Sequence, residues 1–535
     1  MRTCLGDTVG VMAGRFSERL RRVPVALVVA MVLALLPLGV LAVRAALGSW
    51  STISDYSAIE LRVRDVGTSH TPTTGVYSRF DWLHPGPLLF YGYAVPYRLL
   101  GSEGTGLLLG NVLVNVGSVT TVLLVAWQRR RAVGVALAGL ACAIFLHSLG
   151  AGFLEDPWNP WAVVLPTLAT AVVAWHVAAG AHAWLPAVVA LGSFAVQAHV
   201  GTALVVFAMT AFATGALLVD ASRGRVDHLG RVAARTVALG VVLWLAPLVD
   251  QALGRGNLAD LVRFWATNEN PATGFAEGAR IVAPHLGLWA PWASGDVQVS
   301  AVTAEVAPRV VPPVALALLV LAIVVAWRRR DRESLALGSC ALALTGASFV
   351  AASRIVDVPL EYVVRWMWVV GVVVWLAISW TFVRAVPAAS QFVTIGALFV
   401  AALLAGATTL DALGTDHPQV EEVALLDAMR DPVLRRLSGA PEPILIEHTA
   451  GFCSAGMAVG LVNELVATGI DGRMPPSAQD AVGRHRVVRP EEARTSALAA
   501  CDDEVDAYAH DPSYDEVVVV DAGHRRAGLF LRPVP

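Results

Sequence analysis

Several carboxylates in this sequence stand at the edges of long apolar runs. Asp55 and Glu60 lie in STISDYSAIELRVRDVG, just after the first run, and Glu155 and Asp156 lie side by side in GFLEDPWNPWA. A carboxylate placed there can take a proton from an acceptor hydroxyl. It can equally hold a divalent metal that offsets phosphate charge. Pro157 and Pro160 stiffen the second stretch. Trp158 and Trp161 read as interfacial belt residues, and Trp rings also stack on sugar faces. Between these acids comes YSRFDWLHPGPLLFYGYAVPYRLLG (77–101), which adds Asp81 and His84 to a dense set of rings. Gln197 and His199 sit where one run ends and the next begins, where they either cap a turn or line a pocket. Arg280 falls within the long stretch between two runs, and Arg354 and Arg365 fall at run ends. Arg at such places either binds phosphate or carries its charge to the headgroup layer.

The elements that hold these residues follow from composition. The chain has 535 residues, 56% of them hydrophobic and 15% charged, with a mean hydropathy of +0.62. Runs of about 20 apolar residues recur, the length a membrane-crossing helix needs. The net charge of -3 gives no reason to expect a nucleic-acid partner. All 39 basic residues are Arg. They cluster at 15–22, 128–131, 223–235 and 328–332, and placing these clusters on the cytoplasmic side orients the chain.

Residues 1–22 then form a cytoplasmic N-terminus, and the run from Val23 to Val43 is a retained first span rather than a cleaved signal. The next clear span is Thr105 to Trp127. Segment 84–100, broken by Pro96 and rich in Tyr and Phe, reads as a helix lying in the interface and not as a crossing. The fold class is mainly α: a multi-span membrane domain over 23–410 with about 11 spans. The expected outer loops are 47–104, 153–160, 254–310 and 353–365, so the chemistry gathers on the outer face. A short helix after Asp55 would turn Ile59 and Val63 to the membrane, and Asp55, Arg62 and Asp65 to water or a cleft.

Residues 411–535 are more polar and read as an extracytoplasmic α/β domain. Strands are expected at 443–448, 484–488 and 515–523, and helices at 454–468 and 490–500. HTAGFCSAG, before the first of these helices, either caps it or holds an anion. Of the five Cys, Cys4 is inside and Cys142 and Cys340 are in spans, which leaves Cys453 and Cys501 as a candidate disulfide or two unrelated thiols.

The order of these features resembles the polytopic GT-C fold glycosyltransferases, in the group of protein O-mannosyltransferases and aminoarabinose transferases. There, a first span leads to an outer loop with an acidic residue. A (Lys or His)-Pro-Pro-Leu-x-x-Tyr motif follows, then a Gly-containing turn and a second span. Here Asp55 stands at the acidic position, and HPGPLLFYGYAVPYRLLGSEGTG (84–106) at the second motif, with Gly86 interrupting the Pro pair. Tyr56 stands where a second acid is common. The match is specific over residues 20–200 and architectural beyond them.

The resemblance implies a bacterial plasma-membrane enzyme that moves a sugar from a polyprenyl-phosphate donor to an extracytoplasmic lipid, polysaccharide or protein, with inversion. It implies Asp55 as base, Glu155 or Asp156 orienting the acceptor or a metal, and Arg365, with Arg354 or Arg280, on the leaving phosphate. Glu60, Asp81, His84 and His199 would complete the substrate contacts, with His84 alternatively bracing the interfacial helix. A transporter or lipid flippase, or a non-catalytic scaffold presenting the C-terminal domain, is the competing reading. Clean Ala/Val/Leu spans with polar residues confined to their ends count against transport.

Overall fold

In a computed structural model the chain is described over residues 24–295 and 311–532. The expected cytoplasmic segment 1–22, with Cys4, and residues 296–310 of the third loop lie outside the described residues. Among the described residues, eight helices are long and apolar enough to cross a membrane. They begin with α1 (Val25–Leu47) and end with Pro387–Gly414. Two shorter apolar helices, His182–Ala198 and Val314–Arg328, pack with them. The protein is a multi-span membrane protein, as its composition implied.

After α1 come two short helices, α2 (Asp55–Asp65) and α3 (Leu88–Leu99), and then the 45-residue α4 (Thr105–Leu149). The last is two helices joined across non-helical Arg130 and Arg131, so it forms two arms of the bundle. The break lies within the second expected Arg cluster. There Arg129 binds His176, Asp220 gathers His182, Arg225 and Arg332, and Arg384 pairs with Asp331 and Glu333. The basic loops thus converge at one end of the bundle.

The other end carries α2, α3 and the C-terminal domain. Helix α3 has 12 residues, about 18 Å at 1.5 Å per residue. That is too short for a hydrocarbon core of about 30 Å, in agreement with a segment that does not cross. Its seat on α4 is made by Gly106 and Gly110. A Cβ on Gly106 would lie 2.3 Å from Tyr97 Cα, and one on Gly110 would lie 2.6 Å from the Tyr93 ring. Small residues here let Tyr93 and Tyr97 press onto the α4 backbone, as in close helix pairs within membranes.

The C-terminal sheet has five strands: β1 (Ile444–His448), β2 (Gly472–Arg473), β3 (Thr495–Cys501), β4 (Asp515–Ala522) and β5 (Arg525–Arg532). Their order is β2-β1-β3-β5-β4, with β1 parallel to β2 and β3, and β5 antiparallel to β3 and β4. The helix α5 (Phe452–Ala467) packs on β1 and β3. The sequence reading needs correction in three places. Residues 484–488 are not a strand but a 3-10 turn, Arg484–Arg486, with a single bridge at Val487. Residues 490–500 are not a helix: a 3-10 turn, Pro490–Glu492, gives way to β3. Segment 515–522 is not the last strand, since β5 follows it in a hairpin. TSALAAC has helical propensity, yet it becomes a strand because its small side chains fit between β1 and β5, where burial outweighs local preference.

Candidate active site

Asp55 begins α2, and its carboxylate is held from two sides. Trp158 Nε1 donates to Oδ2 at 2.9 Å, and the Tyr77 hydroxyl donates to Oδ1. Burial, followed by the Asp55 charge, pushes the Tyr77 phenol well above its ordinary range, so it stays a donor. Both contacts span long stretches of chain, so Asp55 is oriented by the fold and not by its own loop.

Trp158 belongs to the turn after Glu155–Asp156, and that turn is itself fixed. Asp156 accepts from the Trp158 backbone N–H at 2.9 Å and from the Tyr56 hydroxyl at 3.0 Å. Burial pushes the Asp156 carboxyl up to about 7, against the pull of these hydrogen bonds. Glu155 faces the other way. It is fully buried and binds His417 Nδ1 at 2.8 Å, while its second oxygen has no partner. The adjacent acids are therefore split, one toward Tyr56 and one toward the linker that leads into the C-terminal domain. That linker, with Asp156, His147 and Asp411, lines a cavity of about 680 Å³.

Trp158 packs against Trp161 and Tyr362, with ring centroids 5.3 and 5.2 Å apart. Arg365 follows in the same layer, 5.4 Å from the Trp161 ring and 4.7 Å from the Trp368 ring. It is 2% exposed. Glu361 pairs with its Nη2 at 2.9 Å, while Nε and Nη1 have no acceptor among the described residues. Buried N–H groups without partners are rare and costly. A site that holds a guanidinium between two indoles and leaves two of its nitrogens free is built to receive an anion.

The remaining expected residues separate into groups. Glu60 is buried in a network: Thr52 at 2.6 Å, Tyr97 at 2.9 Å, and Arg64 and Asn463 at 3.0 Å. It ties α2 to α3 and α5 rather than facing a cleft. His84 and His199 lie against each other, with ring centroids 5.0 Å apart, and His84 Nδ1 accepts from the Val200 N–H. Burial, then His199, holds the His84 imidazole well below its usual range. That pair braces the segment leading into α3. Asp81 is exposed, in a left-handed turn, and its carbonyl accepts from Arg255. Arg280 is exposed and pairs with Glu277, and exposed Arg354 lies over the Phe275 ring. Neither joins Arg365. Asp65 was expected to face water or a cleft. It is instead buried against Arg486 of the C-terminal domain, at 2.6 and 2.8 Å. Cys453 and Cys501 are joined as a disulfide.

Sequence reading missed Tyr77 and His417, and saw Tyr56 only as a departure from a motif. Tyr77 opens the aromatic stretch and carries that signal in its position alone. His417, in a plain linker, carries none. Among the described residues, no group of three or more His, Cys, Asp and Glu is arranged to hold a metal ion. Asp55, Glu155 and Asp156 each face different partners, so the residues present do not fit a shared metal.

No protein-family model matches the chain, and no curated protein matches it in sequence. Two solved structures share its fold. ArnT from Cupriavidus metallidurans bound to undecaprenyl phosphate is 15% identical with a TM-score of 0.56. The apo state of the same protein is 16% identical with a TM-score of 0.53. Each match covers 94% of this chain and 97% of the other. The chain therefore has the polytopic GT-C fold, C-terminal domain included.

Proposed function

We propose that this protein is an integral membrane glycosyltransferase that moves a sugar from a polyprenyl-phosphate donor to an extracytoplasmic acceptor. One arrangement carries the reading: a fixed carboxylate, Asp55, lies across an aromatic layer from a buried guanidinium, Arg365, with unfilled N–H groups. The shared fold supports it, since ArnT, an aminoarabinose transferase, is a structure bound to undecaprenyl phosphate. The acceptor hydroxyl attacks the anomeric carbon on the face opposite the phosphate, and Asp55 takes its proton. The C–O bond to the polyprenyl phosphate breaks, and Arg365 receives the charge that develops on that oxygen. The anomeric configuration inverts. Asp156 holds the turn through Tyr56, and Trp158 presents its ring beside the reacting carboxylate.

The orientation belongs to the same proposal. The N-terminus is cytoplasmic and the C-terminal domain extracytoplasmic, because the Arg-rich loops gather at the end away from that domain. The Cys453–Cys501 bond sits where an oxidising compartment would place it.

The test is sugar transfer from radiolabelled polyprenyl-phosphate sugars in membranes holding the wild type or Asp55→Ala. Wild-type transfer that the substitution abolishes at equal protein level supports the reading. Transfer that survives moves the base to another group. Absence of transfer across a panel of donor sugars and acceptors overturns it.

A further inference from the structure

The backbone just before Asp55 depends on a residue some four hundred positions later. Ser54 has φ of 57° and ψ of −132°, a conformation that side chains other than Gly rarely adopt. Nothing in its own loop enforces this, since its side chain makes no cap bond to α2. The constraint comes from α5. The Ser54 N–H donates to the Gly456 carbonyl at 3.2 Å. A Cβ on Gly456 would lie 3.1 Å from Ser54 Cβ and 3.4 Å from its Oγ. Three and four residues apart, one face of α5 continues the contact. Gly460 approaches Ile53 and Leu426, and Asn463 donates to Thr52 at 3.2 Å and Glu60 at 3.0 Å. The first turn of α5 is fixed to β3 by the Cys453–Cys501 bond.

We infer that Gly456 of the C-terminal domain is a positioning residue for Asp55: its carbonyl, and the space left by its missing side chain, hold Ser54 in the backbone conformation that aims the Asp55 carboxylate at Tyr77 and Trp158. The C-terminal domain is then part of the active site's construction and not an appendage. This rests on the transferase reading above.

Two measurements on the full chain test it. The first joins the positions chemically in a Ser54→Cys/Gly456→Cys variant: the two Cβ atoms would lie 3.1 Å apart, closer than the about 3.5–4.5 Å of ordinary disulfides, so oxidation should bridge them after a shift of a few tenths of an ångström. The second compares transfer kinetics of the wild type, Gly456→Ala and Gly456→Ala/Ser54→Gly, using a radiolabelled polyprenyl-phosphate sugar. In Gly456→Ala, kcat is expected to fall about 10- to 100-fold with the donor KM within about twofold, the scale of a small misplacement of a reacting group. Ser54→Gly removes the Cβ and Oγ that the new methyl meets, so the double variant should recover the rate. Failure of the pair to bridge overturns the inference, as does a donor KM that rises with the fall in kcat, or a rate loss that Ser54→Gly does not restore. An active wild type separates these outcomes from failure of the transferase reading. If the wild type moves no sugar at all, both fall together.

Discussion

Trp158 donates its indole N–H to Asp55 across 103 residues of chain. The acid is thereby fixed by a residue of the turn that Asp156 holds. Asp55→Asn keeps the size of the side chain and removes the proposed base, so kcat should fall by about 10²- to 10⁴-fold. Trp158→Phe keeps an aromatic ring and removes the donor, so a smaller loss is expected, about tenfold. Both should melt near the wild-type temperature in detergent, and single-turnover rates at saturating donor distinguish them.

Arg365 makes a different kind of claim. Its free Nε and Nη1 are expected to meet phosphate oxygens, and hydrogen bonds to charged groups contribute about 1.5–3 kcal/mol each. Arg365→Lys cannot reproduce that planar fork between Trp161 and Trp368. The donor KM should rise at least about tenfold. Binding of a polyprenyl phosphate without sugar, measured by calorimetry, should weaken in parallel. Unchanged binding would remove Arg365 from the donor site.

Asp156 should reveal itself through stability. Its carboxyl is raised to about 7 in the fold by burial, against an ordinary value of 3.8. Between these values the unfolded chain ionises while the folded one stays protonated, so stability falls as pH rises through the window. Above about 7 the cost is complete, a few kcal/mol at most. Asp156→Asn is neutral at every pH: its Oδ1 can still accept from the Trp158 N–H, while its Nδ2 can donate to the Tyr56 hydroxyl oxygen. Its melting temperature should exceed the wild type's at pH 8 and match it near pH 4. A constant difference across that range would contradict the assignment.

The Cys453–Cys501 bond closes a loop with a sequence separation of 48. Chain entropy assigns such a loop about 4 kcal/mol of stabilisation. Cys453→Ser/Cys501→Ser should lower the melting temperature of the C-terminal domain, and reductant should lower the wild type's to the same value. If α5 aims Asp55, transfer should decline before the bundle melts.

The features that were legible in the sequence are those fixed by long, repeated patterns. Apolar runs and Arg clusters located the helices and the basic end of the bundle, and the Pro-broken, ring-rich segment before Gly101 pointed to the short α3. Asp55 drew attention in the sequence because it opens the stretch after the first span, a position that does not by itself assign a role. The partners that give it a role were not legible, because Tyr77, Trp158 and Gly456 reach it only through tertiary contacts. Glu60 was misread for the same reason. A carboxylate beside a candidate base looks functional in one dimension, while Tyr97 and Asn463 bury it in three. The β3 error came from a local rule, since Ala-rich TSALAAC favours a helix until neighbouring strands enclose it.

Asp65 is the counterpart of Asp156. Burial raises its carboxyl, but His485 at 3.4 Å and the hydrogen bonds from Arg486 outweigh that and hold it below its ordinary value. The sign of the linkage therefore reverses. The pair contributes stability above the unfolded carboxylate's range, and the contribution is lost as pH falls through the lowered folded value. Asp65→Asn should destabilise the protein at pH 7 and approach the wild type in strong acid, opposite to Asp156→Asn. Removing the other partner is harsher. Arg486→Ala leaves buried Asp65 with Arg62 as a remaining salt-bridge partner at 3.2 Å, so the loss should fall short of the roughly 3–5 kcal/mol that an uncompensated buried charge costs. Arg486→Ala/Asp65→Ala should recover part of that loss. A double variant as damaged as the sum of its parts would show that the two residues act independently, and that the ion pair does not dock the C-terminal domain onto α2.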